Sequence, residues 1–241
     1  MKGITCVMPS ANREDILPLA IRSYNEQTFQ PRELIIIHND PSPLPNSITK
    51  QLGEDVKVIT YPKKMMAAIA RNDGIKEAKY DYVAKCDDDD WYFPKRLEKM
   101  FQIMEEEPPL LGVAYSLLSA FDINSGRYGL VDKPKWYFDG SIMSRKKDLI
   151  FALDEALKNG GNPCPFKWLK DKLFREDIKR LGRIRDISQL LILFHGANDS
   201  TNWNYATDER TIDEFKRTFP DYVVNFILDL TEKRKKQIET K

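Results

Sequence analysis

The segment 66-MAAIARNDGIKEAKYDYVAKCDDDDWYFPKRL-97 carries the most informative pattern in this chain of 241 residues. Within it, an apolar-leaning run from Tyr82 to Cys86 leads directly into four consecutive aspartates, Asp87 to Asp90. Three aromatic residues follow, and then Pro94, which suits the first turn of a helix. The pattern predicts a buried strand that ends at the acids and a helix that begins soon after them. Because open α/β sheets bind ligands outside the carboxyl ends of their strands, the acids are predicted to face a ligand.

Four adjacent carboxylates repel one another, so the acid cluster must raise some pKa values, extend into solvent or bind a cation. A hard divalent ion held by one or two carboxylates together with substrate phosphates fits this arrangement. The chain has neither the G-x-G-x-x-G motif nor the P-loop motif, the two glycine-rich devices that cradle a pyrophosphate. A cation on the aspartates is therefore the direct way to neutralise such a group. The alternative is a solvated acidic turn, because acidic runs are usually exposed faces.

The rest of the chain reads as alternating strands and helices. Short apolar runs predict strands, and apolar residues at helical spacing predict helices. The predicted strands are 4–8, 34–37, 56–60, 82–86 and 190–194, with a hairpin of 113–121 and 127–131 around Asn124-Ser125-Gly126. The predicted helices are 15–27, one beginning at Met66, one after Pro94, 149–157 and 166–181.

This order of motifs resembles the family 2 glycosyltransferases of the GT-A fold. The family carries Ala-Arg-Asn on a helix, then a strand, then Asp-x-Asp-Asp, an aromatic pair, Pro and Arg-Leu. The matching positions here are 70–72, 87–90, 91–92, Pro94 and 96–97, and the resemblance extends to residues 7–13, 27–29 and 33–37. It implies an α/β fold with a doubly wound, mostly parallel sheet flanked by helices and a small antiparallel element on the acceptor side. It also implies an inverting, hexosyltransferase-type enzyme that uses a nucleotide diphosphate sugar.

The resemblance also implies which residues form the site. The residues implied to bind the nucleotide sugar are Pro9, Ser10, Ala11, Asn12, Asn39, Arg71, Asp87 and Asp88. Asp89 is implied to hold a divalent cation, Mn²⁺ or Mg²⁺. His195 is a further candidate metal ligand, and a hydrogen-bonded structural histidine is its alternative. For Arg71 the alternative is a charge on an exposed helix face.

The general base is sought on the helix predicted over 166–181. The family places this base in an acidic pair about eleven residues before a glycine that starts the next strand, and Asp171 precedes Gly182 by that spacing. Asp171 also falls off the apolar stripe of the helix. Asp177 and Glu176 are the alternatives.

Position 39 departs from the family, which usually has Asp-Asp after its second strand where this chain has His38-Asn39. A carboxylate only accepts hydrogen bonds, whereas an amide that can turn over either accepts or donates. The sequence therefore predicts a UDP- or dTDP-type donor that is selected less strictly than an aspartate would select it.

Length and composition predict a single cytoplasmic domain with a nucleotide-sugar-binding half (1–107), an acceptor half (108–206) and a solvated helical tail (207–241). With 41% apolar and 31% charged residues the chain is typical of globular proteins, and 38 basic against 37 acidic residues give no case for a nucleic acid or membrane partner. No apolar run approaches the roughly 18 residues of a membrane span, so no transmembrane segment is predicted. Oligomeric state is not predicted.

Two other functions fit parts of the pattern. A sugar-phosphate nucleotidyltransferase also uses a metal-diphosphate site, but it would show a glycine-rich loop where this chain has residues 9–13 without glycine. A non-catalytic module that binds Ca²⁺ through the acids is the other. For the acceptor, a saccharide or lipid-linked glycan is favoured over nucleic acid, although basic residues concentrate between 167 and 185.

Overall fold

The computed structural model describes residues 1–63, 65–132, 139–158, 164–167, 180–185, 190–194 and 208–239. The described strands, in chain order, are β1 (Ile4–Ser10), β2 (Arg32–His38), β3 (Val56–Thr60), β4 (Tyr82–Lys85), β5 (Asp90–Tyr92), β6 (Gly112–Asp122), β7 (Arg127–Asp132), β8 (Met143–Arg145), β9 (Leu181–Arg185), β10 (Leu190–Phe194) and β11 (Asp208–Arg210). The described helices are α1 (Leu17–Asn25), α2 (Asn46–Thr49), α3 (Ala67–Glu77), α4 (Arg96–Glu106), α5 (Lys146–Lys158), α6 (Ile212–Thr218) and α7 (Asp221–Glu239), with a 3-10 turn at Asp139–Ser141.

All of these strands join one sheet, whose main path runs β11-β7-β6-β8-β4-β1-β2-β3. Strands β4, β1, β2 and β3 are parallel neighbours, and β9 and β10 add parallel pairings to β6. The pairings of β7 and β8 with β6 are antiparallel. The predicted α/β fold class, with its mostly parallel central sheet and antiparallel element, is confirmed.

Helices cover both faces of the parallel strands, which explains why those strands are continuously apolar. In β2, Leu34 and Ile36 face a core shared with α1 and α4. The alternate residues Ile35 and Ile37 face a second core shared with α3 and α5. Each predicted strand and helix that lies in the described residues is present, with ends shifted by a few residues.

The acid segment itself departs from the prediction, because it contains a strand of its own. Residues Asp90–Tyr92 form β5, which pairs antiparallel with β10, and α4 begins only at Arg96. The aspartates therefore form a connection between two strands, and both ends of that connection are fixed by the sheet.

The prediction of a solvated helical tail over 207–241 is wrong in two respects. Residues Asp208–Arg210 form a strand that pairs antiparallel with β7. The helix α7 buries Val223 and Ile227 in a third core, which also contains Trp91 from β5. In the sequence, the many charged residues of α7 obscure the apolar residues that recur at helical spacing and form its buried face. Helix α7 thus packs behind the acid segment.

Candidate active site

The ends of three neighbouring strands build the site. Strands β4, β1 and β2 run parallel in register, with Val7 opposite Lys85 and Ser10 opposite His38. The residues that follow these strands consequently emerge at one edge of the sheet. The backbone N–H of Asn39 donates to the carbonyl oxygen of Ser10 at 2.7 Å, which ties two of these ends together.

Three of the four aspartates are buried and Asp87 is half-buried, which contradicts the alternative of a solvated acidic turn. Asp88, Asp89 and Asp90 are only 6%, 8% and 3% exposed. Buried carboxylates need partners or must take up protons, so what surrounds each of them decides its chemistry.

Asp87 is neutralised by two cations. One of its oxygens accepts a hydrogen bond from Arg71 Nη2 at 3.1 Å, and the other lies 3.3 Å from Lys85 Nζ. Burial acts to raise the pKa of Asp87, but the charges of Lys85 and Arg71 outweigh it and lower that pKa below its ordinary value. Asp87 is therefore held as a carboxylate whose two oxygens are both engaged.

Arg71 reaches the acids because α3 packs close to β1. A Cβ atom on Gly74 would lie 2.5 Å from Val7 Cγ1, so only glycine allows this approach. The side chain of Arg71 is 12% exposed, which contradicts the alternative of a charge on an open helix face. Its Nε is buried and has no hydrogen-bond partner among the described residues.

Asp88 and Asp89 share one guanidinium group. Arg13 Nη1 bonds Asp89 Oδ2 and lies 3.4 Å from Asp88 Oδ1. The other oxygen of Asp88, Oδ2, is buried and has no partner within the described part of the chain. Burial and the charge of Asp89 raise the pKa of Asp88 to about 7, against the charge of Arg13 and a hydrogen bond with Ser10.

Asp90 is the most deeply buried member of the cluster. Burial, and then the charges of Asp89 and Asp87, raise its pKa well above the ordinary value. The Tyr92 hydroxyl lies 3.4 Å from Asp90 Oδ2 and accepts a hydrogen bond from the backbone N–H of Asp87 at 2.7 Å. Tyr92 thereby ties the two ends of the acid segment to each other.

Gly140 closes the cluster from the opposite side. A Cβ atom at this position would lie 2.6 Å from Asp87 Oδ2 and 3.3 Å from Asp90 Oδ2. Its carbonyl oxygen is 3.5 Å from the Tyr92 hydroxyl. No side chain fits between Gly140 and the acids without moving them.

The buried side chain of Arg96 contacts residues on both sides of the four aspartates. Arg96 Nη2 donates to the carbonyl oxygen of Lys85 at 2.8 Å, and Nη1 lies 3.4 Å from Cys86 Sγ. The guanidinium group also stacks 4.0 Å from the centre of the Tyr92 ring. A hydrogen bond with Cys6 lowers the pKa of Cys86 to about 7; burial opposes this shift and the charge of Arg96 assists it.

The amide of Asn39 does not turn freely, so that part of the sequence argument is wrong. Its Nδ2 donates to the carbonyl oxygen of Met65 at 2.6 Å, and its Oδ1 accepts from the Met65 N–H at 2.6 Å. Asn39 is buried, and both polar ends of its amide are engaged. In this structure Asn39 anchors the segment before α3.

Several contacts of the site were not predicted from the sequence. Arg13, Lys85 and Tyr92 all lie in or beside the quoted motifs, but only the fold brings them to the acids. Gly140 is distant in sequence, and no local pattern indicates its contact with Asp87. The end of β1 lies at the same edge of the sheet, and it brings there the predicted site residues Pro9, Ser10, Ala11 and Asn12. Asn12 has a left-handed φ of 54°.

Two predicted site residues, Asp171 and His195, lie outside the described residues, as do the alternatives Glu176 and Asp177. Within the described part of the chain, no group of three or more His, Cys, Asp or Glu side chains is arranged to hold a metal ion. The site nonetheless fits a Mg²⁺- or Mn²⁺-type ion, because such ions are commonly held by one or two carboxylates plus substrate phosphates. The unpartnered Asp88 Oδ2 is an oxygen of that kind. Of the described helices, none combines the length and apolar character that a membrane span requires.

A model of the family described as glycosyl transferase family 2 matches residues 5–176. An uncharacterized glycosyltransferase of Haemophilus influenzae is 31% identical over 105 residues, which cover 44% of this chain and 35% of the relative. The chain thus matches about a third of that relative's length.

Two solved structures share the fold. Staphylococcus aureus TarS 1-349 in complex with UDP-GlcNAc has a TM-score of 0.59 and 14% identity, covering 97% of this chain and 72% of that one. The mannosyltransferase PcManGT from Pyrobaculum calidifontis, in complex with GDP-Man and Mn²⁺, has a TM-score of 0.54 and 13% identity, covering 84% of this chain and 58% of that one.

Proposed function

Since the chain belongs to glycosyltransferase family 2, we propose that it is a metal-dependent inverting enzyme that transfers a sugar from a nucleotide diphosphate sugar to an acceptor hydroxyl. The observation that carries this proposal is the buried acid cluster, with Arg13, Arg71 and Lys85 paired to it at the carboxyl edge of the sheet. Carboxylates beside guanidinium groups suit a ligand that combines a diphosphate with a cation. Because the chain belongs to a glycosyltransferase family, we reject the two alternative functions, a sugar-phosphate nucleotidyltransferase and a Ca²⁺-binding module.

For the donor we favour a UDP-sugar, with a dTDP-sugar as the alternative. TarS, which this chain resembles over 97% of its length, was solved with UDP-GlcNAc, whereas PcManGT was solved with GDP-Man. Proteins of this fold therefore take different bases. In the proposal, Asn39 contributes to base binding mainly through the Met65 segment that it anchors.

The donor diphosphate lies between Arg71 and the acids in this proposal. Arg71 has a buried Nε without a partner among the described residues, and guanidinium groups bind phosphate oxygens well. Asp88 suits a ribose hydroxyl or a cation better than Asp87 does, because both Asp87 oxygens are already paired. Residues 9–12 would form the wall against the nucleoside.

Asp89 is the proposed holder of Mn²⁺ or Mg²⁺, with the free oxygen of Asp88 beside it and His195 as a further candidate ligand. When bound, the ion supplies Lewis-acid chemistry that neutralises the departing nucleoside diphosphate. The buried position of the carboxylates excludes water and strengthens their interaction with such a ligand.

Asp171 is the proposed general base. It would take the proton from the acceptor hydroxyl while that oxygen forms a bond to the anomeric carbon. The bond from the anomeric carbon to the diphosphate oxygen breaks on the opposite face, so the configuration inverts. The acceptor, a saccharide or lipid-linked glycan rather than a nucleic acid, would bind to the half formed by residues 108–206, and the nucleotide sugar to the half formed by 1–107.

The metal proposal is tested by measuring release of nucleoside diphosphate from UDP-sugars in the presence of Mn²⁺. A chelator and Asp89→Asn should each reduce turnover by several orders of magnitude, as loss of electrostatic stabilisation of the leaving group does. Asp154→Asn is the matched control, because this exposed aspartate lies on α5. Full turnover in chelator would contradict the proposal.

The base is tested by replacing each candidate aspartate with asparagine. Asp171→Asn should leave UDP binding nearly unchanged and reduce turnover by at least about 10²-fold, the lower range for loss of a general base. If Asp177→Asn has this effect and Asp171→Asn is active, the base is Asp177.

A further inference from the structure

Arg13 contacts the two carboxylates that the proposed cation site would use, those of Asp88 and Asp89. Its Nη1 contacts both Asp88 and Asp89, so one amino group spans the two carboxylates. The residue follows directly after Asn12, whose left-handed φ of 54° turns the chain at the end of β1. Arg13 is thus placed on the acids by a turn at the sheet edge and not by a helix.

The cationic side chains around the cluster are positioned by different elements of the fold. Lys85 extends from within β4, and Arg71 from α3, which Gly74 packs against β1. Arg96 is buried and bonds the carbonyl oxygen of Lys85. Arg13 instead lies on the turn at the sheet edge, with a side chain that is 22% exposed. Of these cations, it is the one best placed to move.

We propose that Arg13 is an exchangeable counter-ion of the site. In the free chain it neutralises Asp88 and Asp89. When a divalent cation takes Asp89, the guanidinium group leaves the carboxylates and binds the diphosphate of the donor. This inference rests on the proposed cation site at Asp89.

The exchange has a thermodynamic consequence. A cation that binds alone must displace Arg13 from Asp88 and Asp89 and so loses those two ion pairs, whereas a cation that binds together with a diphosphate replaces them with a pair between Arg13 and the diphosphate. The cation and the diphosphate should therefore bind cooperatively, and removal of Arg13 should abolish that coupling.

Calorimetry of the full chain tests this, with Mn²⁺ alone, UDP alone, and UDP at saturating Mn²⁺. Arg13→Gln should bind Mn²⁺ alone at least about tenfold more tightly, and should bind UDP at saturating Mn²⁺ at least about tenfold more weakly, as expected for one charged hydrogen bond. Arg13→Lys keeps the charge but loses the planar guanidinium group whose Nη1 contacts both carboxylates, so both affinities should lie between those of Arg13→Gln and the unaltered chain. Arg22→Gln is the control, because Arg22 is exposed and pairs with Glu26 one helical turn away.

Arg13→Gln that binds Mn²⁺ equally or more weakly would show that Arg13 is a fixed structural tie and overturn the exchange. Should Arg13→Gln fail to fold, Arg13→Lys with unchanged affinities for Mn²⁺ and UDP would overturn it equally. The Asp89→Asn variant distinguishes a failure of the exchange from a failure of the proposed function. If Asp89→Asn binds Mn²⁺ as the unaltered chain does, the cation site is elsewhere and both ideas fail, whereas loss of Mn²⁺ binding in Asp89→Asn without any effect of Arg13→Gln overturns the exchange alone.

Discussion

Replacing Asn39 with aspartate should release the segment that Met65 anchors to the end of β2. The asparagine amide donates to the Met65 carbonyl oxygen and accepts from the Met65 N–H, both at 2.6 Å. An aspartate retains the acceptor but turns a second, negatively charged oxygen toward the Met65 carbonyl oxygen. A favourable contact is thus replaced by a repulsive one in a buried position.

The expected cost follows from these two contacts. Loss of one hydrogen bond contributes about 0.5–1.5 kcal/mol, and a buried acceptor left without a donor adds about 1–3 kcal/mol. The upper part of this sum is not reached if the segment moves into solvent, and Met66 beside it is already 59% exposed. We therefore expect Asn39→Asp to lower the free energy of unfolding by roughly 1–3 kcal/mol at pH 7.

The penalty should depend on pH with a definite sign. A protonated carboxyl donates to the Met65 carbonyl oxygen as the amide does, so the native state raises the pKa of the new aspartate above its unfolded value of about 3.9. The native state then binds more protons than the unfolded state, and the stability of the variant falls as pH rises above about 4. Below that pH the variant and the unaltered chain should differ little.

Denaturant unfolding at pH 7 and pH 4, with hydrogen exchange of the Met65 amide, measures both effects. Asn39→Ala should lose stability at both pH values, since it removes both contacts. Asn25→Asp is the surface control, because Asn25 is exposed and its side-chain amide donates to the Gln51 carbonyl oxygen at a long 3.4 Å. An Asn39→Asp variant that is as stable as the unaltered chain at pH 7, with the Met65 amide still protected from exchange, would contradict this prediction.

Three further substitutions test the packing behind the site. Gly140→Ala should push Asp87 away from its cations, weakening UDP binding at saturating Mn²⁺ in calorimetry and costing about 1–3 kcal/mol of stability from overpacking. Phe215→Ala should cost about 3–5 kcal/mol in denaturant unfolding, because its ring is fully buried in the aromatic core. Thr211→Ala should cost about 1 kcal/mol, since it removes a capping box with Glu214, and an unchanged midpoint would show that α6 does not need this cap.

The elements of the parallel half were predictable because each carries its own local signal. The apolar run at 34–37 needs only its own residues to indicate a strand covered on both faces. The position of the aspartates at a strand end followed in the same way from the run that precedes them. These signals are short in range, and they identify elements rather than their partners.

Contacts between residues that are distant in sequence leave no local pattern of this kind. Asn39 and Met65 are separated by 26 residues, and their mutual hydrogen bonds depend on where β2 and α3 meet. Strand β5 is three residues long, which is too short to show the alternating pattern by which a strand is recognised in a sequence. It is a strand because it pairs with β10. The roles of Asp171 and His195 stay predictions.

The pairing of β5 with β10 has a consequence for the order in which the protein matures on the ribosome. Strands β1 to β4 can pair as soon as they emerge, since their partners are close in sequence. The stretch that carries Asp90 must wait for β10, and its aromatic backing from α6 and α7 emerges later still. A nascent chain can therefore hold the parallel strands β1 to β4 while its acid segment still lacks its backing. The acid segment gains this backing only once α6 and α7 have been made and have packed against Trp91.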